Sequence, residues 1–118
     1  MVDICRLWIH ENKRVFGDRM VSQDDRDKLD KLLDSEVESV FKLSREQVYH
    51  TERIMFGDYM KGIDMENRPY EPVDDLKLML EKMEEYLEEY NSTSKTPMKL
   101  ILFIDACDHV SRISRVLR

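Results

Sequence analysis

The 118-residue sequence predicts a mostly α-helical protein: a small helical bundle, then a short extended segment, then a C-terminal helix. Three observations point to that fold class. Glycine and proline occur three times each, too few for the many tight turns of a sheet-rich fold. Apolar residues recur at three- and four-residue steps over 3–20, 76–90 and 103–117, the spacing of one helical face. Hydrophobic residues make up 42% and charged residues 37%, enough for a core beneath a solvated exterior and unlike a disordered chain.

Ile4, Leu7, Trp8, Val15, Phe16 and Met20 form the apolar stripe of a first helix over 3–20. Ser22 suits the N-cap of a second helix carrying Leu29, Leu32 and Leu33, and Ser35 that of a short third with Val37, Val40 and Phe41. Ser44 and Gln47 have capping-box spacing, which predicts a helical turn over 45–50. Arg53 to Tyr59 reads as extended, and Gly62, Pro69 and Pro72 interrupt any regular structure between there and residue 73. Asp74 and Asp75 sit at the positive end of a long helix. Its buried face is Leu76, Met79, Leu80, Met83, Tyr86, Leu87 and Tyr90, and its solvated face Glu81, Glu84, Glu85, Glu88 and Glu89. Residues 91–97 form a polar connector. Leu100, Ile101, Leu102 and Phe103 suit either a strand or an extended lead-in to a last helix, whose apolar face is Phe103, Ala106, Cys107, Val110, Ile113, Val116 and Leu117. That pattern runs on with neither Gly, Asn nor Pro to end it, as expected of a piece of a longer polypeptide.

The charge balance is acidic, net −6 from 19 basic and 25 acidic residues, which opposes binding to phosphate backbones and argues against nucleic acid as a partner. No apolar run has the length of a membrane span; the reading expects no signal peptide and an intracellular protein without a membrane partner. Cys5 and Cys107 lie far apart and read as reduced, buried or half-buried thiols in a reducing compartment.

Few residues carry chemistry. His10 and Glu11 resemble half of a zinc motif, but Arg14 stands where the second histidine belongs, so a hydrogen-bonding role is the better reading and no metal site is assigned. Cys107 and His109 project about 200° apart on a helix and cannot easily pair as nucleophile and base. The acidic face at 81–89 spreads its oxygens too far to enclose a cation. Arg112, Arg115 and Arg118 form a basic stripe, either a contact for a phosphate or acidic neighbour or a solvated face. No Gly-x-x-x-x-Gly-Lys-[Ser/Thr] loop occurs, and no catalytic residue is assigned.

Two blocks carry a family resemblance. Leu7-Trp8-Ile9-His10-Glu11 with Arg14 and Val15-Phe16-Gly17-Asp18-Arg19-Met20 is similar to the helix of the lid in the third AAA+ module of dynein heavy chains. Leu100 to Phe103 with His109-Val110, Arg112-Ile113 and Arg115-Val116-Leu117-Arg118 resembles the stretch leading into the fourth module, and 88–98 is nearest to the axonemal type. The resemblance implies a helical lid over 1–91, a linker over 92–97, and over 98–118 the lead-in and first helix of the next module. It implies a non-catalytic part of a ciliary motor ATPase that moves toward microtubule minus ends, coupling adjacent modules. ATP or ADP with Mg would be bound by the parent and not tightly by this segment; the nucleotide-sensing arginine would lie before residue 1 and the phosphate loop after residue 118.

The same resemblance suggests that Leu100, Ile101 and Leu102 contact adenine in the fourth module, against plain core packing as the alternative. It tips the arginine stripe toward an inter-module role. Partners would be the neighbouring AAA+ modules, with microtubules and other dynein subunits reached through the parent, in the cytoplasm, cytoskeleton and ciliary axoneme. Trp8, Val15 and Phe16 are expected to anchor the lid, and Phe103, Val110 and Ile113 the junction helix. A free-standing helical interaction module, presenting the Met/Tyr face of 76–90, is the competing class.

Overall fold

The structure, a computed structural model, describes residues 1–62 and 66–117. Among them are five α-helices and one two-stranded sheet, so the mostly helical class holds. The chain divides into two compact units, Met1–Met55 and Phe56–Arg118. Among the described residues no helix is long and apolar enough to cross a membrane.

The first unit holds α1 (Val2–Val15), a 3₁₀ turn Gly17–Arg19, α2 (Gln23–Glu36), a π turn Val37–Phe41 and α3 (Arg45–Val48). Its core is Cys5, Ile9, Leu33, Val37 and Val48, with Trp8, Leu29, Phe41, Leu43, Tyr49 and Ile54 packed around it. Trp8 and Phe41 stack tilted at 5.4 Å. The buried face of α1 differs from the stripe read in the sequence. Cys5 and Ile9 point inward together with Arg6 and His10, whereas Ile4, Val15 and Phe16 are exposed. The reason lies in residues 51–54, which supply acceptors that let an arginine and a histidine be buried. Of the three expected lid anchors, only Trp8 packs against the core.

Ser22 is the N-cap of α2 in extended conformation, as its position suggested, although its side chain makes no cap bond. The separate third helix capped by Ser35 does not form. The helix runs through Ser35 and passes directly into the π turn, so Val37 continues the buried face one turn after Leu33. Lys42 then stops the turn in the left-handed region at φ 57°. Leu32 and Val40 are exposed. The capping box at α3 is complete: Gln47 N donates to Ser44 Oγ at 3.3 Å and Ser44 N to Gln47 Oε1 at 2.8 Å. Lys13 and Asp30, 3.0 Å apart, tie α1 to α2.

The second unit holds β1 (Phe56–Gly57), β2 (Glu71–Pro72), α4 (Leu76–Thr93) and α5 (Ile104–Leu117). The strands pair antiparallel, Phe56 opposite Pro72 and Gly57 opposite Glu71. Asp75 caps α4, accepting from Lys77 N at 2.9 Å and Leu78 N at 3.0 Å. Met79 is wholly buried; the other residues of the expected apolar face are half-buried, except Tyr90, which is exposed. The glutamates on the opposite face are exposed.

α4 runs through Thr93, past the point where the sequence suggested a connector. The hydroxyl of Ser92 donates to Glu89 O, and that of Thr93 to Glu89 O and Tyr90 O, so their polar groups sustain the last turn. Leu100 to Phe103 form no strand and lead into α5 without regular secondary structure. α5 packs on α4 and β1 through Cys107 and Ser111. Phe103, Val110, Ile113, Val116 and Leu117 are exposed, so Phe103, Val110 and Ile113 do not anchor α5 within this chain.

Candidate functional site

α1 positions a buried polar pair in the first unit. Arg6, 1% exposed, donates through Nη2 to Thr51 Oγ1 at 2.8 Å. Thr51 in turn donates to Arg53 O at 2.8 Å. His10, one turn further along α1, lies 3.2 Å through Nδ1 from Ile54 O. A carbonyl can only accept, so this nitrogen carries the proton. Asn12 holds Trp8 O at 2.8 Å, and Arg14 closes on Glu11 at 2.6 Å. The His-Glu pair therefore serves hydrogen bonding, His10 toward the 51–54 segment and Glu11 along its own helix. Composition gave no hint of Arg6; the signal was its spacing of four from His10, on one face with Cys5 and Ile9.

The second unit is organised by Tyr59. Its ring is buried and its hydroxyl lies 2.7 Å from Ser111 Oγ, while Ser111 donates to Cys107 O at 2.7 Å. The serine proton being used there, Tyr59 is the donor to Ser111. The hydroxyl of Tyr86 bonds Tyr59 O. Burial raises the pKa of the Tyr59 phenol and of the Cys107 thiol, so both stay neutral. Cys107 is buried and His109 exposed, on different sides of α5.

The basic stripe divides. Arg112 pairs with Asp108 at 2.9 Å, and the Arg115 guanidinium lies 4.2 Å from the centre of the Tyr70 ring. Arg118 lies outside the described residues. Beside the stripe, Val110, Ile113, Ser114 and Leu117 of α5 line a groove of about 350 Å³ with Asp58 and Arg68 at its edge. Leu100 and Ile101 are exposed and Leu102 half-buried, on the segment that leads into α5. The side chains of Leu100 and Ile101 form an exposed apolar surface.

The first unit thus joins buried polar pins to a capped turn, and the second presents an open apolar face on α5. Residues 1–51 match the AAA+ lid domain family, and the first compact unit spans nearly the same stretch.

The similarity continues past the lid. The chain is 41% identical over 118 residues to dynein axonemal heavy chain 1 of Mus musculus, covering 99% of this chain and 3% of that protein. It is 38% identical over 130 residues to dynein axonemal heavy chain 3 of Homo sapiens, covering 99% of this chain and 3% of the relative. Against dynein axonemal heavy chain 2 of Homo sapiens the identity is 40% over 116 residues, 97% of this chain and 2% of the other. The chain belongs to the axonemal dynein heavy-chain family, and it spans only 2–3% of the length of these relatives.

Proposed function

We propose that this segment is the lid of the third AAA+ module and the lead into the fourth, in a heavy chain that drives ATP-dependent movement toward microtubule minus ends in the ciliary axoneme. The observation that carries the reading is identity of 41% across 99% of the chain, through both compact units, where a lid alone would account for 1–51. On this reading residues 1–91 are the lid, 92–97 the linker, and 98–118 the start of the next module. The lid closes over nucleotide in its own module, and α5 carries its apolar face against the next, so closure is passed on as a rigid-body shift. The neighbouring modules are the direct partners; microtubules and other dynein subunits are engaged through the parent.

ATP or ADP with Mg belongs to the parent, where hydrolysis supplies the free energy for movement. Leu100 and Ile101 are exposed and apolar, which fits the flat face of a purine. With Leu102 they line the adenine site of the fourth module, while phosphate and metal are held by other parts of the heavy chain. The rival reading, an interaction module offering the face of 76–90, is less well supported, because Met79 at its centre is already buried.

The test is nucleotide affinity in the heavy chain. Ile101→Asp introduces a charge at an exposed position, which the fold tolerates, and should weaken binding of a fluorescent ATP analogue at the fourth module about tenfold or more. Wild-type affinity in that variant would remove Ile101 from the adenine site.

A further inference from the structure

We propose that Thr96 is the acceptor for a proline-directed serine/threonine kinase that reads a lysine three residues on, and that Asn91 restrains access to it. Of the three prolines, only Pro97 follows a hydroxyl residue; Arg68 and Glu71 precede the other two. A proline at that place has no amide N–H, so it enters an apolar pocket where any other residue would bury an unpaired donor. It also biases Thr96 toward the extended conformation in which a substrate strand lies in a kinase cleft. Lys99 supplies a cation at the third position beyond the acceptor, the kind of charge pattern by which kinases separate substrates.

The structure adds accessibility and a restraint. Residues 95–101 are all exposed, with no regular secondary structure from 97 to 101. The loop is closed at its base by two bonds: Asn91 Nδ2 donates to Met98 O at 2.9 Å, and Met98 N donates to Asn91 Oδ1 at 2.7 Å. Met98 lies between Pro97 and Lys99, so a cleft that engages both must first free its backbone. Thr96 N donates to Ser94 Oγ at 3.1 Å, and among the described residues no bond of the Thr96 hydroxyl holds it inward.

The transfer is ordinary phosphoryl chemistry. The kinase supplies Mg·ATP; a bond forms between Thr96 Oγ1 and the γ-phosphorus, and the bond from that phosphorus to the bridging oxygen of ADP breaks. The hydroxyl proton passes to the kinase carboxylate, and ADP leaves.

The intact chain is incubated with a proline-directed kinase of basic third-position preference and Mg·ATP, and incorporation is followed by intact mass and site mapping. One phosphoryl group on Thr96 is expected, absent in Thr96→Ala and about tenfold slower in Pro97→Ala and in Lys99→Ala. A peptide of residues 90–102 sets the unrestrained rate; the folded chain should be slower, and Asn91→Ala should approach the peptide. No incorporation into the folded chain, or incorporation that survives Thr96→Ala, overturns the acceptor. Equal rates for folded chain and peptide overturn the restraint.

Discussion

The hydroxyl of Tyr59 donates to Ser111 at 2.7 Å across 52 residues of sequence, and this one bond joins the segment after β1 to the middle of α5. Both groups are buried, so the bond exists in a medium where losing it leaves a stranded polar atom. Tyr59→Phe should destabilise the second unit by about 1 kcal/mol, read as a lowered urea midpoint with unchanged slope. A double-mutant cycle with Ser111→Ala should return a coupling of about 0.5 kcal/mol or more. Strict additivity would mean that the two hydroxyls do not support each other.

Gly57 is required by that same ring. A Cβ built at Gly57 would stand 2.6 Å from Tyr59 Cζ, and the ring is held in place by the bond of its hydroxyl to Ser111. Gly57→Ala should cost roughly 1–3 kcal/mol through overpacking, seen as a lower thermal midpoint. In the double variant with Tyr59→Ala most of that added cost should vanish, because the ring that clashes is gone. A cost that persists there would point to the backbone instead.

In the first unit, Thr51→Val removes an acceptor of Arg6, a residue only 1% exposed. A loss of about 1–3 kcal/mol is expected from urea titration. Thr51→Ser keeps the hydroxyl and should recover most of it. Equal damage from both variants would assign Thr51 a packing role only.

Alkaline pH should weaken the fold. Burial raises the pKa of Cys5 and Cys107 above 9.0 and of Tyr49 and Tyr59 above 10.0. The folded chain therefore keeps these protons to higher pH than the unfolded chain. Their contribution is complete below the unfolded values and declines as pH rises from the unfolded toward the folded ones, by up to about 1.4 kcal/mol per pH unit for each group. The urea midpoint at about pH 10 should fall below that at about pH 8. A rise over that interval would contradict the neutral state of these groups in the fold.

Much of the helical frame was legible because capping and periodicity are local. Ser44 with Gln47, Asp75 before Leu76 and the acid-rich face of α4 follow from residues within one or two turns of each other. Which face of α1 turns inward was not, since burial of Arg6 and His10 depends on acceptors more than 40 residues away. The π turn at Val37–Phe41 was hidden for a related reason: Ser35 looks like a cap only if the preceding helix ends, and α2 does not end there. The α5 face shows the limit of periodicity. Its spacing identifies an apolar surface but not what covers it, and here Phe103, Val110 and Ile113 lie open. The proposed adenine-contact residues Leu100 to Leu102 were legible only by resemblance.

The open α5 face is where the junction account is most exposed to contradiction. Burial of Ile113, assumed from the sequence, would make Ile113→Asp cost several kcal/mol; at 60% exposure it should change the stability of the 118-residue chain by no more than about 0.5 kcal/mol. On the proposed reading, the same substitution in the full heavy chain would place a charge between two modules. Microtubule gliding by the motor carrying Ile113→Asp is therefore the most direct measurement. Gliding slowed several-fold, with the isolated chain folded as before, is the result the account expects; gliding at wild-type velocity would contradict the coupling role of this junction.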